Sequence, residues 1–188
     1  PFVPDLRAMR LHQRMISDVR RAFATMLAHS ARPPDQPGVV SISFGSLPTL
    51  RLAADPDFRH RINGLMTFGG FFDWRATLRF CLDGAEGVEH DPLNRPLVFA
   101  HLMPNLPHVP APDAVESAWQ GYIYETWGKE DMMADQEARA AVAETLGAEL
   151  DPESRGLFLQ GCGLMPGGAE LVYDALNTTG PKSWLHPL

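Results

Sequence analysis

The 188-residue sequence is short of the features that announce several large protein classes. It has only two cysteines, Cys81 and Cys162, far apart and in no C-x-x-C pair, so neither a disulfide framework nor a zinc site is signalled. Two buried free thiols in a reducing compartment are expected, which places the chain in the cytoplasm. No stretch approaches the eighteen or so consecutive apolar residues that span a bilayer, and the first residues lack a charged region followed by an apolar one. Cations are scarce: sixteen Lys and Arg against twenty-three Asp and Glu give a net charge of −7. Nucleic-acid partners need clustered cations, so none is expected. A Gly-rich phosphate loop before a Lys and a pair of His on one helix face are both absent. No metal and no cofactor is therefore expected, and a metal-dependent or nucleotide-binding enzyme ranks last.

Periodicity organises what is present. From Leu6 to about His29 apolar residues recur three and four apart at Ile16, Val19, Phe23, Met26 and Leu27, while Arg14, Asp18, Arg20 and Arg21 fall elsewhere around the wheel. That spacing predicts an amphipathic helix, ended by Pro33, Pro34 and Pro37. Val39 to Phe44 is a short, apolar, β-branched run directly after Pro-Gly, as in a strand buried on both faces of a parallel sheet. A sharp turn follows at Ser43 to Ser46, then a helix over Leu47 to Ala54, with Pro48 tolerated in the first turn. A second apolar run, Ile62 to Phe68, closes on Gly69-Gly70. Strand, helix and strand within about 35 residues predict a parallel pair joined by a crossover.

Beyond Trp74 a short helix is expected to Leu82, then a strand or buried helix over Leu93 to His101, then a proline-rich loop. Further helices are expected at Ala114 to Trp127 and Glu130 to Leu146, after Asp151-Pro-Glu, and over Ala169 to Leu176. The aromatics Trp119, Tyr122, Tyr124 and Trp127 are read as exposed.

The chemistry centres on Ser41-Ile42-Ser43-Phe44-Gly45. A serine hydroxyl reacts only when a base takes its proton and donors hold the resulting oxyanion. A strand-to-helix turn projects the side chain off the sheet and aims the next backbone N–H, that of Phe44, at the developing charge. The residues two before and two after must be small, and here Ser41 stands where the motif has its first Gly.

The strings Pro-Gly-Val-Val-Ser-Ile-Ser-Phe-Gly-Ser, Leu-Arg-Leu-Ala-Ala-Asp-Pro and Leu-Met-Thr-Phe-Gly-Gly-Phe-Phe-Asp resemble the esterase and lipase-like branch of the α/β-hydrolase superfamily, over residues 1 to about 84. The resemblance implies an α/β fold in which residues 1–84 are a core portion with a nucleophile elbow and residues 85–188 a mainly helical cap or insert. It implies a serine hydrolase acting on a small-molecule ester or acyl substrate through an acyl-enzyme on Ser43, with Phe44 in the oxyanion hole. Asp73 is the local acid, though an Asp before Trp74 also suits a helix cap. For the base, His186 sits near the C-terminus, as a triad His often does, and His101 follows the apolar run Leu97 to Ala100. His90 and His108 carry no ligand spacing. The strands that would bear the second oxyanion donor, the acid and the base are not evident, so the chain looks like the middle of a larger hydrolase. Alternatively it is a non-catalytic relative or fragment that binds through its helices. Either way the lone parallel pair is expected to complete its sheet through the rest of the hydrolase or as a homo-oligomer.

Overall fold

The computed structural model describes residues 13–29, 36–70, 73–88 and 91–178. They divide into two compact units that part between Trp74 and Arg75.

The first unit opens with helix α1 (Gln13–His29), whose Met15 and Phe23 are buried while Arg20 and Arg21 face water. Strands β1 (Gly38–Ile42) and β2 (Gly64–Phe68) pair in parallel, in register from Gly38 opposite Gly64 to Ile42 opposite Phe68. Between them run a tight helical turn at Ser43–Gly45 and helix α2 (Ser46–Ala54). Pro48 is accommodated because the first N–H groups of a helix have no partner inside it to lose. Arg20 holds the far end of α2 against α1. It donates to Asp55 at 2.7 Å and to Asp57, and its guanidinium lies 5.1 Å over the ring of Phe58, which meets Phe23 edge-on at 5.5 Å.

The second unit is helical: α3 (Trp74–Asp83), α4 (Asn94–Leu102), α5 (Pro112–Thr126), α6 (Glu130–Ala134), α7 (Gln136–Gly147), α8 (Pro152–Gly161) and α9 (Gly168–Thr178). Asp135 and Asp151 start α7 and α8 as side-chain caps, each accepting two backbone N–H bonds. In Asp151 the Ser154 hydroxyl and then the backbone amides favour the anion, so its carboxyl is held below the usual range. The core is aromatic. Trp119 lies 5.4 Å from Phe99 and donates its Nε1–H to the Phe158 carbonyl at 3.1 Å, and Tyr122 meets Phe158 edge-on. Arg75 donates to the Leu176 carbonyl and Tyr173 to Asp83, joining α3 to α9.

The architecture is therefore mixed α/β with helices dominant and a single parallel pair; the larger sheet of an α/β-hydrolase is not shown among the described residues. Two local expectations change. The strand run is not buried on both faces: Val40 and Ile42 are each 69% exposed, with Met66 at 64% and Phe68 at 74% beside them. Trp119 and Tyr122 are wholly buried, while Tyr124, two residues on, is 81% exposed. The run Leu93 to His101 resolves as helix α4. No helix among the described residues is long and apolar enough to cross a membrane.

Candidate functional site

The chain leaves β1 in extended conformation at Ile42 (φ −125°, ψ 140°) and enters α2 with Ser46 in ordinary helical geometry (φ −61°, ψ −39°). The reversal is taken at Ser43, whose φ of 53° lies in the left-handed region that costs an L-residue about 1–2 kcal/mol. Ala111 is the other non-glycine residue with positive φ among those described. Ala111 stands between Pro110 and Pro112, at the start of α5. Ser43 is exposed at the end of the strand.

The turn is braced from behind. Thr49 donates its hydroxyl to the Gly45 carbonyl at 2.7 Å. Ser46 is buried, and a Cβ on Gly70 would come within 2.9 Å of the Ser46 Cβ, so only glycine lets the exit of β2 press against the start of α2. The hydroxyls of Ser41 and Ser46 are buried without a hydrogen-bond partner. The strands are parallel, so Ser43 and Asp73, five residues past Phe68, leave the sheet at the same end. Asp73 is exposed.

Beside the turn lies a cavity of about 470 Å³. Helix α1 contributes Val19, Phe23 and Met26, α2 contributes Leu52, and β1 contributes the consecutive residues Val39 to Ile42, with Phe44 and Gly45 continuing the rim past Ser43. No charged side chain lines it.

The other residues singled out in the sequence are scattered. His186 and His90 lie outside the described residues. His101 ends α4 in the helical unit. Exposed His108 lies 3.4 Å from Glu153. Asp91 accepts the Leu93 N–H and so serves a turn. Both thiols are free: burial, then Asp91, pushes Cys81 up to about 11, and burial pushes Cys162 well above its ordinary value, so neither is poised as a thiolate. Among the described residues no three His, Cys, Asp or Glu side chains cluster as metal ligands. The brace formed by Ser46 and Gly70 escaped sequence reading; the Gly69-Gly70 pair, read as a strand end, was its signal.

No family model matches the chain, and no solved structure matches it. Among curated proteins, the succinyl-diaminopimelate desuccinylase of Rhizorhabdus wittichii is 30% identical over 91 residues, a match taking in 37% of this chain and 24% of that enzyme. The matched part is thus about a quarter of the relative's length. This finding corrects the reading drawn from residues 1–84. The named relative is a desuccinylase outside the α/β-hydrolase superfamily, and nothing among the comparisons supports a serine esterase working through an acyl-enzyme on Ser43. The physical reason is that the motif is local. A small-x-Ser-x-Gly string between a strand and a helix satisfies the sterics of a tight strand-to-helix turn, and many unrelated folds contain one.

Proposed function

We propose that this chain carries the carbonyl-binding part of a hydrolase that releases an acyl group from an amide, with Ser43 at that carbonyl. The observation that carries the reading is the left-handed backbone of exposed Ser43 at the end of β1. Strained backbone at an exposed polar residue, held in place by buried neighbours, clusters at active sites and ligand clamps. The relative supports the direction of the chemistry: its name describes removal of a succinyl group from an acylated diamino acid, whose acyl group is held as an amide. In this reading the Ser43 hydroxyl donates to the substrate carbonyl, Phe44 follows it on the rim, and Asp73 supplies the carboxylate at the same end of the sheet. His186 completes the set of candidate side chains.

The test is amine release from a panel of N-acyl anilides carrying succinyl, acetyl and longer aliphatic groups. Turnover is expected with at least one of them, and Ser43→Ala is expected to lower kcat/KM about 100-fold, as loss of one carbonyl-holding donor does elsewhere. No release from any anilide, or equal rates in the variant, would remove the reading.

A further inference from the structure

We infer that the cavity beside β1 receives an uncharged, extended, peptide-like segment that adds itself as a strand to the edge of β1 that no other strand among the described residues pairs, with its reacting amide at the Ser43 end. The inference rests on the reading that Ser43 faces substrate, and it names the class of substrate.

The shape of the lining is the first support. Val39, Val40, Ser41 and Ile42 all border the cavity. Successive side chains of a strand point to opposite faces, so a cavity on one face would meet every second residue. Four in a row bring the backbone of β1 to the cavity as well as its side chains, which fits a cavity that reaches the strand's edge. The opposite edge is taken by β2, the one strand paired with β1 among the described residues. Backbone groups that point away from β2 therefore line the slot, and an apolar chain laid there would strip them of water and give no hydrogen bond back. An extended peptide gives the bonds back, which is how sheet edges capture strands.

The charge of the lining is the second support. Apolar side chains of α1 and α2 form the walls, with no cation among them. A carboxylate carried into the slot would be desolvated without a partner. A succinyl group, the acyl group named for the relative, is thus the wrong complement for this slot. An uncharged residue with a β-branched or aliphatic side chain is the right one. The third support is continuity: Ser43 directly follows Ile42, so a segment lying along the edge reaches it without a bend. Because α1 and α2 border the same slot as β1, a single added strand fits better than the two-stranded edge of a second copy.

The experiment is hydrogen exchange of the full chain, as wild type and as S43A, with three probes: an acetylated and amidated Val-Thr hexapeptide, the same peptide N-methylated at alternate amides along one edge, and dodecanoic acid. The unmodified peptide is expected to slow exchange across residues 39–42 in both proteins, and the methylated peptide to bind at least tenfold more weakly. Equal binding of the methylated peptide, protection by dodecanoic acid alone, or protection by no probe would overturn the inference. So would protection of β1 that rises with protein concentration and needs no probe, since the occupant would then be a second copy. Binding is read here and turnover is not, so inactive protein that still shows edge-dependent protection would count against the amide-hydrolase reading while upholding the strand site.

Discussion

The two units solve the problem of burial differently. In the helical unit, four aromatic residues, Phe99 of α4, Trp119 and Tyr122 of α5 and Phe158 of α8, pack together, and the indole N–H of Trp119 finds the Phe158 carbonyl. In the sheet unit the apolar residues of β1 and β2 remain largely open, and the buried hydroxyls of Ser41 and Ser46 lack partners, as does that of Tyr122 in the helical unit. The difference teaches where each unit's sequence is spent. The helical unit buries its large aromatics, whereas the sheet unit leaves its apolar strand residues in water; buried polar atoms without a partner and a left-handed non-glycine residue occur in both, so exposure of the strands is what sets the units apart.

The largest effect expected is at Trp119. Trp119→Ala removes a fully buried indole and its hydrogen bond to the Phe158 carbonyl, which keeps the Cys162 N–H as a donor, so a loss of about 3–5 kcal/mol, mostly from the cavity, is expected in denaturant unfolding. Next comes Gly161→Ala, whose new Cβ would lie 2.4 Å from Trp119 Nε1; a cost of about 1–3 kcal/mol from overpacking is expected, read as a lowered Tm. Phe68→Ser in the sheet unit should change stability by less than about 0.5 kcal/mol, because that ring is already in water. A large loss there would mean that the exposed sheet face is covered in solution, and the contrast between units would fall.

The smallest effect is electrostatic. The hydrogen bond from Arg20, then the Asp57 backbone amide, holds the Asp55 carboxyl below its ordinary value of 3.8. A carboxylate depressed in the folded state contributes stability above its unfolded pKa and loses it as pH falls through the lower folded value. The Tm gap between wild type and D55N should therefore be present at pH 7 and close below about pH 3.8. The pair is exposed, so the gap should be small and should shrink in high salt. A gap unchanged with pH would mean that Asp55 acts only through packing.

Much of the sheet unit is legible in the sequence. A β-branched run after Pro-Gly, a proline allowed in a first turn and a closing Gly-Gly describe β1, α2 and β2, and those signals act over a few residues. What was not legible depends on distant partners. Trp119 and Tyr124 share one helix, and no local pattern says that the first meets Phe99 and Phe158 while the second meets water. The exposure of Val40 and Ile42 was missed for the same reason: a β-branched run looks alike whether or not a layer covers it. The Ser43 turn was legible as geometry, but its family was not, since a tight strand-to-helix turn selects the same small residues wherever it occurs.

The most direct measurement is to pair stability with amide turnover in S43G. Glycine accepts a φ of 53° without penalty and carries no hydroxyl. If Ser43 is held in strain to meet a carbonyl, S43G should gain about 1 kcal/mol of stability and lose anilide hydrolysis together. A variant that keeps its turnover, or one that loses stability while the wild type shows no turnover at all, would contradict the assignment of Ser43 as the substrate-facing residue.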